Sequence, residues 1–174
     1  MIDWSVAWKG TKLIDRIEWA KTNLKRHDTE YCVVYEDLDN ECAAIMHPDP
    51  HCMAMLMHGY LMPPAWVKLK LREDAQRPDF VDHRSLGNDK LLHETQPIGP
   101  LTEEEAVEYL ITTDIPRSVW ENWNTGNRQT MVICSKKQLP ATREWRNAWR
   151  IADEIGEVAS LNHPQQTQPH LLLL

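Results

Sequence analysis

Between Cys42 and His58 the chain gathers Cys42, His47, His51, Cys52, Met53, Met55, Met57 and His58. Thiolate, thioether and imidazole are the ligands that zinc and monovalent copper prefer. The spacing speaks against one shared ion. His47 and His51 are separated by Pro48-Asp49-Pro50, which favours an extended path at ~3.1 Å per residue and would hold the two imidazoles roughly 12 Å apart. His51 and Cys52 are adjacent and point oppositely on extended backbone. A methionine-filled core beside a solvated histidine loop accounts for the same residues. Neither a metal nor a cofactor is expected.

Two further sets could do chemistry. Asp79-Phe80-Val81-Asp82-His83 offers a carboxylate–imidazole pair for acid–base work, yet no nucleophile, phosphate-cradling glycine loop or zinc-type H-E-x-x-H accompanies it. Cys134 has apolar neighbours in a β-rich stretch and reads as an inert core thiol. No catalytic residue is assigned, and the chain is not expected to be an enzyme. The second set is aromatic and cationic: Trp120, Trp123, Arg143, Trp145, Arg146, Trp149 and Arg150. Tryptophan and arginine dominate interface hot spots and also line single-strand nucleic-acid platforms. With Phe at one position only, about half of the tryptophans must fill the core. The remainder are expected to face a protein partner. The partner-facing residues assigned on this ground are Trp4, Trp8, Arg143, Trp145, Arg146 and Trp149, joined by Leu171 and Leu172 of the C-terminal leucine run.

Composition narrows the classes. The 174 residues carry 26 Asp and Glu against 19 Lys and Arg, a net charge of −7. An acidic chain is poorly suited to phosphate-backbone binding, so nucleic acid is not the expected partner. No stretch approaches the ~20 apolar residues of a spanning helix, so no membrane is expected. No charged opening precedes an apolar run, and the four cysteines form no C-x-x-C pair. Free thiols in a reducing cytoplasm follow from that.

The elements that must position these residues read as follows. Leu13, Ile17, Ala20 and Leu24 form one helical stripe within 12–27, with Lys12, Asp15, Arg16, Lys21 and Lys25 outside it. Tyr31–Tyr35 and Glu41–Met46 form a β-hairpin across Asp39-Asn40, ending at the prolines from Pro48. Residues 52–62 are apolar and undecided between helix and strand. Residues 60–100 look like an irregular insertion, with Arg77-Pro78, Gly87-Asn88 and Pro97-Ile98-Gly99-Pro100. A helix over 102–113 opens on a capping box, Thr102 with Glu105, and a staple, Leu101 with Ala106. Its buried stripe is Ala106, Val107, Leu110 and Ile111. Residues 129–135 form a strand, and 142–159 has helical spacing of Trp145, Ala148, Trp149, Ala152 and Ile155. The expected fold is α+β: a small antiparallel sheet with flanking helices in a domain over 11–159. An extended N-terminal arm (1–10) and a C-terminal tail (160–174) complete it.

Two stretches resemble a group of small uncharacterised proteins encoded by tailed bacteriophages. Val34-Tyr35-Glu36-Asp37-Leu38-Asp39-Asn40, followed by a strand and His47-Pro48, resembles the group's Y-E-D-x-D-G hairpin, with Asn40 where glycine is usual. Leu139-Pro140-Ala141-Thr142-Arg143-Glu144-Trp145-Arg146-Asn147-Ala148-Trp149 is similar to its L-P-x-D-R-T-F-R-N-A-W signature, with Thr142, Glu144 and Trp145 as departures. Leu101-Thr102-Glu103-Glu104-Glu105-Ala106 resembles the L-T-x-E-E helix, and Val132-Ile133 the I-V strand. The resemblance implies a virion component without a catalytic site, in the tail, baseplate, neck or capsid periphery. It would act through other phage structural proteins and copies of itself in a symmetric assembly, in the host cytoplasm during assembly and then in the particle. The contrasting reading is a phage-encoded regulator or inhibitor that binds a host protein.

Overall fold

The run Tyr-Cys-Val-Val-Tyr is apolar at every position, as a strand covered on both faces must be. It lies at the centre of the sheet. In the computed structural model, which describes residues 11–37, 42–75, 91–92, 94–121, 123, 130–139 and 151, β1 (Tyr31–Asp37) pairs antiparallel with β2 (Cys42–Met46) on one side and β3 (Met131–Ser135) on the other. The registers set Val34 opposite Ile45 and Val132, and Cys32 opposite Cys134. Cys32, Val34, Ala43, Val132 and Cys134 are buried on one face, with Ile45, Leu139 and Ile151 packed against them. Val33, Met131 and Ile133 alternate to the other face and are also buried. The fold is α+β, with a small three-stranded antiparallel sheet accompanied by helices.

The described residues divide into two compact units. The sheet unit draws on Thr29–Pro48 and on the chain from Leu110 onward. The helical unit draws on the chain up to Asp28 and on Asp49–Tyr109. After β2 the chain therefore builds a second core before returning as β3.

In the helical unit, α1 (Leu13–Asn23) packs on α2 (Pro50–His58), with the Trp19 and His58 rings edge to face at 5.8 Å. α1 is shorter than the expected 12–27, closing where the Leu24 N–H donates to Ala20 O. Arg16, expected on the solvated face, is buried. Its guanidinium donates to Thr11 Oγ1 (2.9 Å) and Thr11 O (3.2 Å), which satisfies a charge that burial disfavours and lowers its pKa.

The undecided segment is helical. Asp49 caps α2 by accepting the His51 and Cys52 N–H groups (2.9 and 2.8 Å), and Pro50 takes the first turn, where a missing N–H costs nothing. Pro48-Asp49-Pro50 is therefore a helix entry, where the sequence suggested a continuously extended spacer. Gly59 ends α2 at φ 80° and ψ 166°.

Nor is 60–100 irregular throughout. Ala65–Ala75 forms α3, and Leu61, Met62, Val67 and Leu92 are buried. The Tyr60 N–H donates to Ile98 O and the Ile98 N–H to Met62 O, so the proline-rich stretch lines up against the end of α2 instead of looping away. α4 (Glu103–Asp114) starts as expected: Thr102 N–H donates to Glu105 Oε2 (2.8 Å) and Glu105 N–H to Thr102 Oγ1 (3.2 Å). Ala106, Val107, Leu110 and Ile111 are buried. A short α5 (Arg117–Trp120) follows, and a turn of 3-10 helix (Lys136–Gln138) leaves β3 through a second capping box at Ser135. Of the expected helix at 142–159 only Ile151 is described, and it stands outside a helix.

Candidate protein-protein interface

α3 presents the most open large aromatic side chain among the described residues. Pro63 and Pro64 precede it, and the Val67 and Lys68 N–H groups close its first turn on Pro64 O. One side of the helix is held down: Val67 is fully buried and Leu71 half-buried four residues on. The Lys68 ammonium lies 5.9 Å from the centre of the Tyr109 ring, while the Tyr109 hydroxyl donates to Pro63 O at 2.7 Å. With that side fixed, Trp66, Lys70 and Glu73 fall at i, i+4 and i+7 on the opposite side, all exposed. Trp66 is 56 % exposed, and Ile14 on α1 is 54 % exposed. Lys70 and Glu73, one of each charge, flank Trp66 along that side. An indole held out by a helix whose other side is packed can anchor a protein partner with little ordering cost.

Sequence reasoning passed over Trp66. The available signal was Pro63-Pro64 followed by Val67 and Leu71 at helical spacing, which leaves Trp66 off the buried stripe. The assigned partner-facing residues Trp4, Trp8, Arg143, Trp145, Arg146, Trp149, Leu171 and Leu172 lie outside the described residues, as do Asp79–His83. Leu139, which opens the signature, packs against the sheet cluster and so has a place in the fold. Trp120 and Trp123 are half-buried, and neither indole N–H has a hydrogen-bond partner among the described residues.

The metal-ligand candidates are not brought together. Among the described residues no group of three or more His, Cys, Asp or Glu side chains is placed to hold an ion. His51 and Cys52 sit in the first turn of α2 and His58 in its last. No described helix is long and apolar enough to cross a membrane.

One thiol pair does come together. Cys32 and Cys134 stand opposite each other with Sγ atoms 3.5 Å apart, both buried, and the Cys32 thiol also reaches Cys134 O at 3.4 Å. Their contact separates the two acidities. The Cys134 hydrogen bond lowers the Cys32 pKa against the opposing effect of burial, with help from Lys136. The same contact and burial push Cys134 far up. Cys42 and Cys52 are half-buried and in no disulfide. No protein-family model, curated protein or solved structure matches this chain.

Proposed function

We propose that this protein is a structural component of a tailed-phage particle, acting through contacts with neighbouring subunits. The observation that carries the reading is the open indole of Trp66 on a helix anchored by Val67 and Tyr109. A tryptophan left more than half open on a helix is suited to burial in a partner. The phage setting is supported by the resemblance at Val34–Asn40 and Leu139–Trp149. Lys70 and Glu73 on the Trp66 side carry opposite charges, a pattern that a second copy of the chain can complement in a symmetric assembly. The arm with Trp4 and Trp8, the Arg143–Trp149 stretch and the leucine tail add contacts in this reading. The protein would occupy the host cytoplasm during assembly and the virion afterwards.

Quantitative peptide mass spectrometry of purified particles tests the proposal. The expected result is a fixed copy number near a multiple of roughly 3, 5, 6 or 12, the orders of closed rings. Deleting residues 160–174 should stop incorporation while leaving the rest folded. Absence from particles, with abundant protein in infected cells, would overturn the reading in favour of a regulator that binds a host protein.

A further inference from the structure

We propose that Cys32 and Cys134 are a reversible redox site, closing into a disulfide that ties the central strand of the sheet to β3. The site is intramolecular and independent of the particle reading.

The register makes the case first. Lys136 N–H donates to Glu30 O and Glu36 N–H to Thr130 O, on either side of the thiols. Residues 30 with 136 and 36 with 130 are thus hydrogen-bonded antiparallel pairs. With the alternation of period two, Cys32 with Cys134 is another such pair. Hydrogen-bonded pairs hold their Cα atoms about 5.5 Å apart, inside the ~4.4–6.8 Å span of disulfides, but their Cβ atoms lie at the long end of ~4.5–5.5 Å, beyond the ~3.5–4.5 Å that a disulfide takes. The Sγ atoms already stand 3.5 Å apart, so closure to a bond of about 2.05 Å needs side-chain rotation and a small local approach of the two strands, which leaves the bond strained and readily reduced.

The chemistry is thiol–disulfide exchange, with a low-molecular-weight disulfide as the oxidant. The Cys32 thiolate attacks one sulfur of that disulfide, forming a mixed disulfide and expelling one thiolate. Cys134 then gives up its proton and attacks the Cys32 sulfur, forming the Cys32–Cys134 bond and expelling the second thiolate. Two protein thiols lose two electrons, the oxidant gains them, and the two protons pass to the expelled thiolates. Cys32 is placed to act first because the Cys134 S–H can donate to its thiolate and Lys136 adds positive charge nearby.

Access is the controlled step. Cys32 and Cys134 are 0 % and 4 % exposed, and Leu139 and Ile151 pack against their cluster. Oxidant reaches thiols this buried only through local opening of the surrounding structure, so the rate follows that opening rather than intrinsic thiol reactivity. Once closed, the bond joins residues 102 apart in sequence. The loop it closes spans all of Asp49–Tyr109, and long loops gain most from cross-linking.

The test uses the full chain carrying Cys42→Ser and Cys52→Ser, so that only this pair remains. The protein is equilibrated without denaturant in buffers of stepped oxidised-to-reduced glutathione ratio, acid-quenched, unfolded, alkylated and weighed intact. Both thiols should disappear together, with loss of two hydrogens and no lasting glutathione adduct, and dithiothreitol should restore them. Adding Cys134→Ser should halt the reaction at a glutathione adduct on Cys32. The oxidised form should unfold at a higher urea concentration than the reduced form. Peptide mapping of the oxidised wild-type chain should show Cys32 joined to Cys134, which covers the case in which the serine variant folds poorly. Two alkylatable thiols at every ratio, a persistent adduct without closure, or closure only in denaturant would each overturn the proposal.

Discussion

Gly59 and Pro100 meet so closely that no side chain fits between them. A Cβ on Gly59 would collide with the Pro100 nitrogen and lie 2.6 Å from its Cδ and 2.7 Å from its Cα. Those are ring and backbone atoms that cannot swing aside. The backbone of Gly59, at φ 80° and ψ 166°, also occupies a region that essentially only glycine enters. Here α2 ends, the stretch after it pairs with Ile98, and the Leu101 N–H donates to Leu56 O within α2. Gly59→Ala should therefore cost about 3 kcal/mol or more, one part from backbone strain and one from overpacking. Urea denaturation of the purified variant checks this. A loss below about 1 kcal/mol would mean that the 97–101 stretch is free to move away.

The opposite end of α2 gives a milder prediction. Asp49→Ala removes the acceptor for two N–H groups and should cost about 1 kcal/mol, whereas Asp49→Asn keeps a capping oxygen and should cost much less. Burial raises the Asp49 carboxyl pKa, but the Cys52 and His51 hydrogen bonds and the His51 charge outweigh it, and the net direction is down. A depressed folded pKa means that the unfolded chain binds the proton more readily. The contribution is full above the ordinary Asp range and is lost as pH falls through the folded value. Wild type and Asp49→Ala should thus converge in stability at acid pH, as measured by urea midpoints across a pH series.

The contrast between these local devices and the long-range contacts explains what the sequence could disclose. Thr102 and Glu105 were legible because a capping box is built within one turn, and Asp39-Asn40 marked the hairpin because its two strands are adjacent in the chain. The neighbour of Cys32 was not legible. β3 returns to β1 only after the whole helical unit, and nothing local in either strand sets that register. Arg16 misled because its compensation comes from Thr11, outside the helix, where a stripe count does not look. The 60–100 segment misled for a related reason: Pro63 and Pro64 lead into α3, and Pro97 and Gly99 flank the Ile98 pairing, rather than replacing structure. Trp66 was obscured by composition, since eight tryptophans against one phenylalanine put about half of them in the core without saying which half.

Glu108 should respond to pH with the sign opposite to Asp49. Partial burial pushes its carboxyl up, and the nearby Glu105 charge adds to the effect. A raised folded pKa means that the native chain binds the proton more readily, so its contribution favours folding at low pH and is lost as pH rises through the folded value. At neutral pH the ionised carboxylate is a small net cost. Glu108→Gln should raise stability at neutral pH by up to about 0.5 kcal/mol, the solvent-exposed part of the site keeping the gain small. That gain should vanish as pH falls below the ordinary Glu range of about 4.3, where folded and unfolded wild type are both protonated. An equal gain at both pH values would assign the effect to packing instead of charge.

Trp66 separates folding from assembly. Because its ring projects from α3 on the side away from Val67, Trp66→Ala should shift stability by no more than about 0.5 kcal/mol. Val67→Ala, two methyl groups smaller at a fully buried position, should cost well above that, about 1–3 kcal/mol. If Trp66 anchors a neighbouring subunit, its truncation should weaken association by about 2 kcal/mol, close to thirtyfold, as at other tryptophan hot spots. Lys70→Glu should weaken it further at low salt, because the Trp66 side then carries only acidic charge on a chain of net charge −7. Sedimentation velocity over a concentration series reads self-association, and peptide mass spectrometry reads incorporation into particles. A Trp66→Ala chain that folds, associates and enters particles like wild type would remove this helix from the interface and leave the assembly reading to the arm and the tail.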